Sequence, residues 1–444
     1  MSPLRHLAYA PPSFRRMSSA ASLPRGRVAA VPSRAHRTGL LAALTLLLGL
    51  ASCNQPAEQM QPFKPKEKDY GRALPPGALA LRKIDPRDYP DFAPGFERRA
   101  ELEQAIRHSL DYLSRPSSRR YFPYGDVTHE RAVASLHAFL NVLQTARDPR
   151  EFDQLIRTRF EVYQSVGCDD RGTVYFTGYY TPIFDGRKHA DERFRYPIYK
   201  IPPDLVKDDE GRTLGRRASA ATIVPGYYTR REIEQSGLMR GRELAWLQDP
   251  FEAYVVTVQG SAKLRLENGG LWELGYAANN GHDYTPIAPL LVRDRAIKAA
   301  EVSLQAMRRF FTARPDLVSH YTWNNDRFVF FKETSGGPYG SINVPVTPFY
   351  SIATDKDVFP RACLAFMQTR IPAPTAASAA DAVTMRPYAG FALDHDTGGA
   401  IRAAGRCDIY MGVGPQAEAL AGRTGAEGRL YYIFVRPTDL ASGS

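Results

Sequence analysis

Two aspartates lie in a segment, residues 391–412, that combines ionisable side chains with glycines of free conformation. An apolar run precedes Asp396, and Asp408 lies in a stretch that alternates apolar and polar residues. This pattern predicts strand, turn, strand. Gly398 and Gly399 in the turn can adopt positive φ or let a ligand approach the backbone. We expect the loop to bring both carboxylates to one cleft, although an ordinary turn aspartate and a solvated strand aspartate fit the spacing equally well.

Two further segments carry side chains suited to a sugar. An aromatic run at residues 173–182 reads as a strand, and tyrosine rings stack on pyranose faces while hydroxyls satisfy the sugar rim. A second polar group follows the apolar run at residues 253–258, which we interpret as a strand. The tyrosines fit a core strand at least as well. The candidate residues are Tyr179, Tyr180, Thr181, Gln259, Gly260 and Ser261.

The remaining pattern predicts a mainly β protein with helices. Apolar residues recur at helical spacing within residues 102–113, 133–143 and 152–160, and again within 297–311. Short apolar stretches separated by Gly, Asn and Pro follow residue 197, and we expect a small all-β module there. Residues 339–355 also read as strand-like.

Length and charge limit the class of protein. The chain has 444 residues, 43% of them hydrophobic, which is enough for a large core and two or three domains. The net charge is +11, but residues 1–52 hold seven arginines and no acidic residue, so +4 remains beyond them. That mild excess suits an anionic polymer or a membrane surface, and it does not call for nucleic acid.

The first 52 residues look like a targeting segment. An apolar run at residues 40–50 follows Arg37 and has the length of a signal-peptide core rather than of a membrane span. The sequence LASC ending at Cys53 resembles a bacterial lipobox, which would make Cys53 the lipidated first residue of the mature protein. Residues 53–67 are rich in Gln, Pro, Lys and Glu, and they predict a flexible tether.

Cysteine and motif content argues against cofactors. With Cys53 assigned to lipid, Cys168, Cys363 and Cys407 allow one disulfide and one free thiol in an oxidising compartment. No Cys/His spacing suggests zinc, and no Gly-rich loop suggests phosphate binding. We therefore expect no metal and no cofactor. Cys407, beside Asp408, could be a nucleophile, and we favour a small buried hydrophobe.

Five segments, taken in order, resemble the membrane-bound lytic murein transglycosylase A family. They are residues 178–182, 258–261, 325–331, 344–355 and 396–414. The resemblance implies a double-psi β-barrel domain, residues 68–182 and 331–440, with a second β-barrel inserted at 183–330 and a substrate groove between them. The chain departs from the family pattern at Ala262, where glycine is usual, at Tyr350, where arginine is common, and at Arg361, where glycine is expected.

The resemblance also implies an activity, namely cleavage of the β-1,4 bond between N-acetylmuramic acid and N-acetylglucosamine with formation of a 1,6-anhydromuramoyl end. Asp408 would be the general acid/base, Asp396 a supporting residue, and the candidate residues above, with Gly398 and Gly399, would bind substrate. Expected partners are peptidoglycan strands, the outer membrane through the lipid on Cys53, and cell-wall synthesis or division proteins. The protein would face the periplasm.

Two rival functions remain at this stage. The single Asp-Thr-Gly at Asp396 is the motif of an aspartic protease, but such an enzyme needs two copies to build its shared-proton dyad. A lipoprotein that binds murein without cleaving it is the non-enzymatic alternative.

Overall fold

The computed structural model describes residues 68–96, 99–209, 211–372 and 385–440. The predicted signal segment, Cys53 and the predicted tether lie outside these ranges.

Helices form three groups in the described part. The first group is α1 Arg99–Ser114, α2 His129–Thr145 and α3 Pro149–Arg159. The second is α4 Arg230–Ser236, α5 Pro250–Gln259, α6 Ala288–Arg293, α7 Leu304–Ala313 and α8 Val318–Thr322. The last is α9 Gly414–Ala421 and α10 Pro437–Leu440. Short 3-10 turns lie at Pro86–Asp88, Ala93–Phe96, Pro116–Tyr121, Ala299–Glu301 and Pro315–Leu317.

The strands are named in chain order. They are β1 Leu81–Lys83, β2 Phe160–Ser165, β3 Val174–Thr181, β4 Ile183–Arg187, β5 Tyr196–Tyr199, β6 Leu205–Lys207, β7 Thr213–Arg217, β8 Ile223–Pro225, β9 Glu243–Leu247, β10 Ala262–Arg265, β11 Leu271–Asn279, β12 Val329–Thr334, β13 Ser351–Ala353, β14 Leu364–Pro372, β15 Met385–Asp396, β16 Arg406–Val413 and β17 Gly425–Val435. The prediction of a mainly β protein with helices is confirmed.

The largest sheet closes on itself. Its strands run β1-β2-β17-β14-β15-β13-β16-β3, and β17 also pairs with β3, so that six of them form a barrel and β2 and β1 extend it. The three N-terminal helices pack on this barrel. The Phe391 ring of β15 lies 4.6 Å from Phe139 of α2 and 5.7 Å from Phe152 of α3, centroid to centroid. These aromatic contacts hold β15 in place, and β15 ends at Asp396.

A second sheet forms the other half of the described structure. Its order is β12-β11-β10-β4-β9-β5, and a bridge between Lys200 and Phe331 joins the end of β5 to β12. Helices α5, α7 and α8 cover it through an aromatic cluster in which Phe251 and Phe311 lie 4.6 Å apart. Strand β12 stays in this sheet as far as Thr334, so the predicted domain boundary at residue 331 falls inside a strand. Strands β6, β7 and β8 form a separate small sheet.

The strand prediction for residues 253–258 is wrong, because these residues belong to helix α5. The apolar β-branched run favours a strand locally, but the ends of the segment favour a helix. The Asp249 side chain accepts hydrogen bonds from the Phe251 and Glu252 amides, and Pro250 occupies the first turn. Gly260 ends the helix in the left-handed conformation, at φ 75°.

Two other element predictions need correction. Residues 339–355 are mostly loop, and only Ser351–Ala353 forms a strand. The predicted helix at 297–311 begins later, at Leu304, where the Ser303 side chain caps it. The three predicted N-terminal helices are confirmed, with Thr128 and Asp148 capping α2 and α3.

The three cysteines of the described part are all free and buried. The disulfide that three cysteines would allow does not form among Cys168, Cys363 and Cys407. Cys407 is fully buried in the main hydrophobic core, as expected of a small apolar side chain.

Candidate active site

The barrel sheet places the two aspartates on either side of one alanine. Ala353 of β13 pairs with Asp396 of β15 on one side and with Asp408 of β16 on the other. Directly opposed residues in a sheet project from the same face, so both carboxyl groups leave the sheet together.

Backbone amides hold the Asp396 carboxyl. Its Oδ1 accepts a hydrogen bond of 2.9 Å from the Ser341 amide and one of 2.8 Å from the Thr397 amide. Burial raises the pKa of Asp396, and the two amides oppose this effect. The carboxyl is thus fixed in position by the loop that precedes β13 and by the turn that follows β15.

Asp408 has a different environment. Its Oδ1 is buried and has no hydrogen-bond partner among the described residues. Burial raises the pKa of Asp408 to about 6, while Thr177 and Arg406 lower it and the charge of Asp396 raises it further. A carboxyl with this pKa exchanges its proton near neutral pH, which suits a group that both donates and accepts one.

A groove of about 720 Å³ runs past these aspartates. Its walls come from both sheets, with Tyr276 and Lys332 on β11 and β12 and Asp396 and Tyr410 on β15 and β16. Asp408 lies two residues before Tyr410 on the same strand, is half-buried, and is not itself among the lining residues.

Most of the predicted substrate-binding residues lie on this groove. Those that line it are Tyr179, Thr181, Gln259, Gly260, Ser261, Gly398 and Gly399. Hydrogen bonds of 3.1 Å join the Thr181 hydroxyl to those of Ser261 and Tyr410. The end of helix α5 is thereby fixed against strand β3.

Tyr180, the remaining predicted substrate-binding residue, does not line this groove. Successive strand residues point to opposite faces, so Tyr180 points away from the groove that Tyr179 lines. Its side chain is 1% exposed, and its hydroxyl donates a 3.0 Å hydrogen bond to Glu418. Tyr180 lines instead a smaller, largely apolar cavity of about 220 Å³ on the other side of β3.

Several groove residues were not foreseen from the sequence. Tyr410 packs on Tyr179, with ring centroids 5.1 Å apart. Its position two residues after Asp408 on β16, and so on the same strand face, could have shown that it lies near the site. Lys356 lines the groove and forms a buried ion pair with Asp394. Arg327, Arg361 and Arg402 also line it.

The geometry does not fit an aspartic protease. A shared-proton dyad needs two carboxyl groups within hydrogen-bonding distance. Here the backbone of Ala353 separates the strands of Asp396 and Asp408, and no hydrogen bond joins their carboxyls. Within the described ranges, no cluster of His, Cys, Asp and Glu could hold a metal ion.

Two protein-family models match the chain. The MltA specific insert domain matches residues 175–332, and the 3D domain matches residues 350–434. A membrane-bound lytic murein transglycosylase A of Vibrio cholerae is 28% identical over 400 residues, covering 88% of this chain and 93% of that protein.

Solved structures share the fold. A membrane-bound lytic murein transglycosylase from Agrobacterium tumefaciens has a TM-score of 0.66 and 27% identity, over 81% of this chain and 99% of that one. The Escherichia coli MltA structure with bound chitohexaose has a TM-score of 0.62 and 24% identity, over 84% and 97%. The fold is therefore that of lytic murein transglycosylases. The chain belongs to the membrane-bound lytic murein transglycosylase A family.

The curated relative is named membrane-bound. In the part of this chain that the structure describes, none of the helices has the length and apolar character needed to cross a bilayer.

Proposed function

We propose that this protein is a lytic transglycosylase that cleaves the β-1,4 bond between N-acetylmuramic acid and N-acetylglucosamine in peptidoglycan and leaves a 1,6-anhydromuramoyl end. The observation that carries the proposal is the Asp408 carboxyl, whose Oδ1 is buried without a hydrogen-bond partner and whose pKa is about 6, beside a groove that both sheets line. The name of the Vibrio cholerae relative supports the reaction type.

One titrating carboxyl is enough for this reaction. Protonated Asp408 gives its proton to the glycosidic oxygen as the bond to C1 breaks, and positive charge develops at C1 and the ring oxygen. The C6 hydroxyl of the same sugar then attacks C1, and the Asp408 carboxylate takes the hydroxyl proton. The residue ends in its starting state, and no water is consumed.

Raising the pKa favours this role. An aspartate of ordinary pKa, about 3.9, is protonated only about one part in a thousand at pH 7. At a pKa of about 6, roughly one molecule in ten carries the acid form at that pH. Burial thus supplies a proton donor without a second carboxyl.

Asp396 acts as the orienting residue in this proposal. Its carboxyl is fixed by the Ser341 and Thr397 amides, and its charge raises the pKa of Asp408. The Tyr179 ring and the polar groups of Thr181, Gln259 and Ser261 would contact the glycan, while Gly398 and Gly399 let it approach the backbone.

Sheet membership supports the domain division that we propose. The catalytic domain comprises residues 68–182 and the segment after β12, to residue 440. The inserted domain comprises residues 183–334, because β4 begins the second sheet at Ile183 and β12 ends it at Thr334. Cys53 anchors the protein by lipid to the outer membrane, facing the periplasm, as the lipobox-like sequence indicates.

The test is digestion of purified murein sacculi, with the soluble products identified by mass. Products with anhydro ends support the proposal. Products with reducing ends would make the protein a hydrolase, and the absence of soluble products would make it a binding protein.

A further inference from the structure

The groove carries an excess of unpaired positive charge. Seven cationic and four acidic side chains line it. Lys356 is paired with Asp394, and Arg212 with Asp208. The other five have no carboxylate within ion-pair distance in the described ranges, and they are Lys207, Arg327, Lys332, Arg361 and Arg402.

Two of these residues flank the turn that follows Asp396. A Cβ on Gly399 would lie 2.9 Å from Nε of Arg327, so the guanidinium rests against this turn. Its Nη1 donates a 2.9 Å hydrogen bond to the His282 carbonyl, which orients the group. Arg402 lies three residues beyond Gly399 and is exposed on the same groove.

The charges of these arginines repel each other. Burial lowers the pKa of Arg327, and the charge of Arg402 lowers it further. The charge of Asp283, which also lines the groove, raises the pKa of Arg327, but the two side chains form no ion pair. The planar guanidinium of arginine can donate two parallel hydrogen bonds to a carboxylate. These charge-assisted hydrogen bonds are among the stronger ones in proteins.

We propose that Arg327 and Arg402 form a carboxylate-binding subsite beside the Gly398 and Gly399 turn. Given the proposed function, on which this inference rests, the ligand is a carboxylate carried by the glycan. It is either the free lactyl carboxylate of N-acetylmuramic acid or a carboxylate of its attached peptide. The subsite favours such strands over neutral chito-oligosaccharides.

Three probes distinguish these sources. Chitohexaose has no carboxylate. A peptide-free hexasaccharide of alternating N-acetylglucosamine and N-acetylmuramic acid has only lactyl carboxylates. The same hexasaccharide with peptides has its lactyl groups bound as amides, and its carboxylates belong to the peptide.

Binding of each probe is measured by surface plasmon resonance on the immobilised protein. Continuous flow replaces any probe that the protein cleaves, so the free probe concentration stays constant. The variants are Arg327→Gln and Arg402→Gln, with Arg309→Gln, an exposed arginine of α7 outside the groove, as matched control. Each groove variant should weaken binding of one carboxylate-bearing probe about tenfold or more and leave chitohexaose unchanged. The control should bind all three as wild type does.

The affected probe identifies the carboxylate, lactyl or peptide. Wild-type affinity for all probes in both groove variants overturns the subsite, and so does an equal loss on neutral and acidic probes. Failure of the proposed function gives a different result, in which the wild-type protein binds the probes and the arginine dependence holds but no anhydro product forms from sacculi.

Discussion

Asp396 and Asp408 are both direct cross-strand partners of Ala353, one from each side. At the usual strand spacing, their backbones are about 10 Å apart. The two carboxyls can therefore have different surroundings: Asp396 is fixed by two amides, whereas Asp408 has one buried oxygen, Oδ1, without a hydrogen-bond partner. This separation lets Asp408 titrate near neutral pH while Asp396 orients its neighbours and contributes its charge.

The rate should depend on pH through Asp408. The acid form is populated below its pKa of about 6 and is lost as pH rises, so kcat/KM should fall about tenfold per unit above that value. Because the charge of Asp396 raises the pKa of Asp408, Asp396→Asn should move this fall to lower pH. The turnover of murein glycan by the wild-type protein and by Asp396→Asn, measured between pH 4.5 and 8, gives the pH at which kcat/KM falls. A fall centred near pH 4 in the wild-type protein would contradict the buried-acid account.

Tyr179 and Tyr180 should respond oppositely to substitution. Tyr179→Ala removes a groove ring and should weaken chitohexaose binding with little loss of stability. Tyr180→Phe removes the buried hydrogen bond to Glu418 and should lower the free energy of unfolding by about 1 kcal/mol while binding stays unchanged. Calorimetric titration and denaturant unfolding of both variants provide the comparison. Weakened binding in Tyr180→Phe alone would return that residue to the groove.

Lys356 should be needed for stability. Its side chain is 5% exposed, and that of its partner Asp394 is 0% exposed. Lys356→Met leaves a buried carboxylate without its counter-charge, and it should lower the free energy of unfolding by about 3–5 kcal/mol. The double variant Lys356→Met, Asp394→Leu should recover part of the loss. Lys298→Met, at an exposed ion pair, is the control and should change stability by less than about 1 kcal/mol. Equal stability of Lys356→Met and the control would show that the pair contributes little.

Much of the fold could be predicted because local signals agreed with it. Apolar spacing indicated α2 and α3, whose N-terminal caps are Thr128 and Asp148. An apolar run indicated β15, and alternation indicated β16. Helix α5 was missed because its apolar β-branched interior reads as a strand, while its caps at Asp249 and Gly260 specify a helix. Cap chemistry was the more reliable signal there.

The site was only partly predictable, for a physical reason. Asp396, Asp408, Gly398 and Gly399 are close in sequence, so one segment revealed them. Arg402 lies in that same segment, whereas Arg327 and Arg361 reach the groove from separate loops, and only the packing of the fold brings them together. Tyr180 was misplaced because an aromatic strand does not show which of its faces is solvated until its partners are known.

The lipid anchor is tested by Cys53→Ala. If Cys53 is the lipidated residue, the variant should leave the membrane fraction and appear as soluble or unprocessed protein. Fractionation followed by mass measurement of the mature N-terminus checks this. A processed variant that remains membrane-bound to the same extent would rule out the lipoprotein assignment.

The assignment of Asp408 is tested most directly by the products of Asp408→Asn on purified sacculi. The substitution removes the titrating proton and keeps the size of the side chain, so the variant should fold, bind glycan and release anhydro-muropeptides on the order of 10²–10⁴ times more slowly. Asp396→Asn, measured in parallel, should show a smaller loss in the rate of anhydro-muropeptide release. A folded Asp408→Asn protein that releases anhydro-muropeptides at near the wild-type rate would contradict the account.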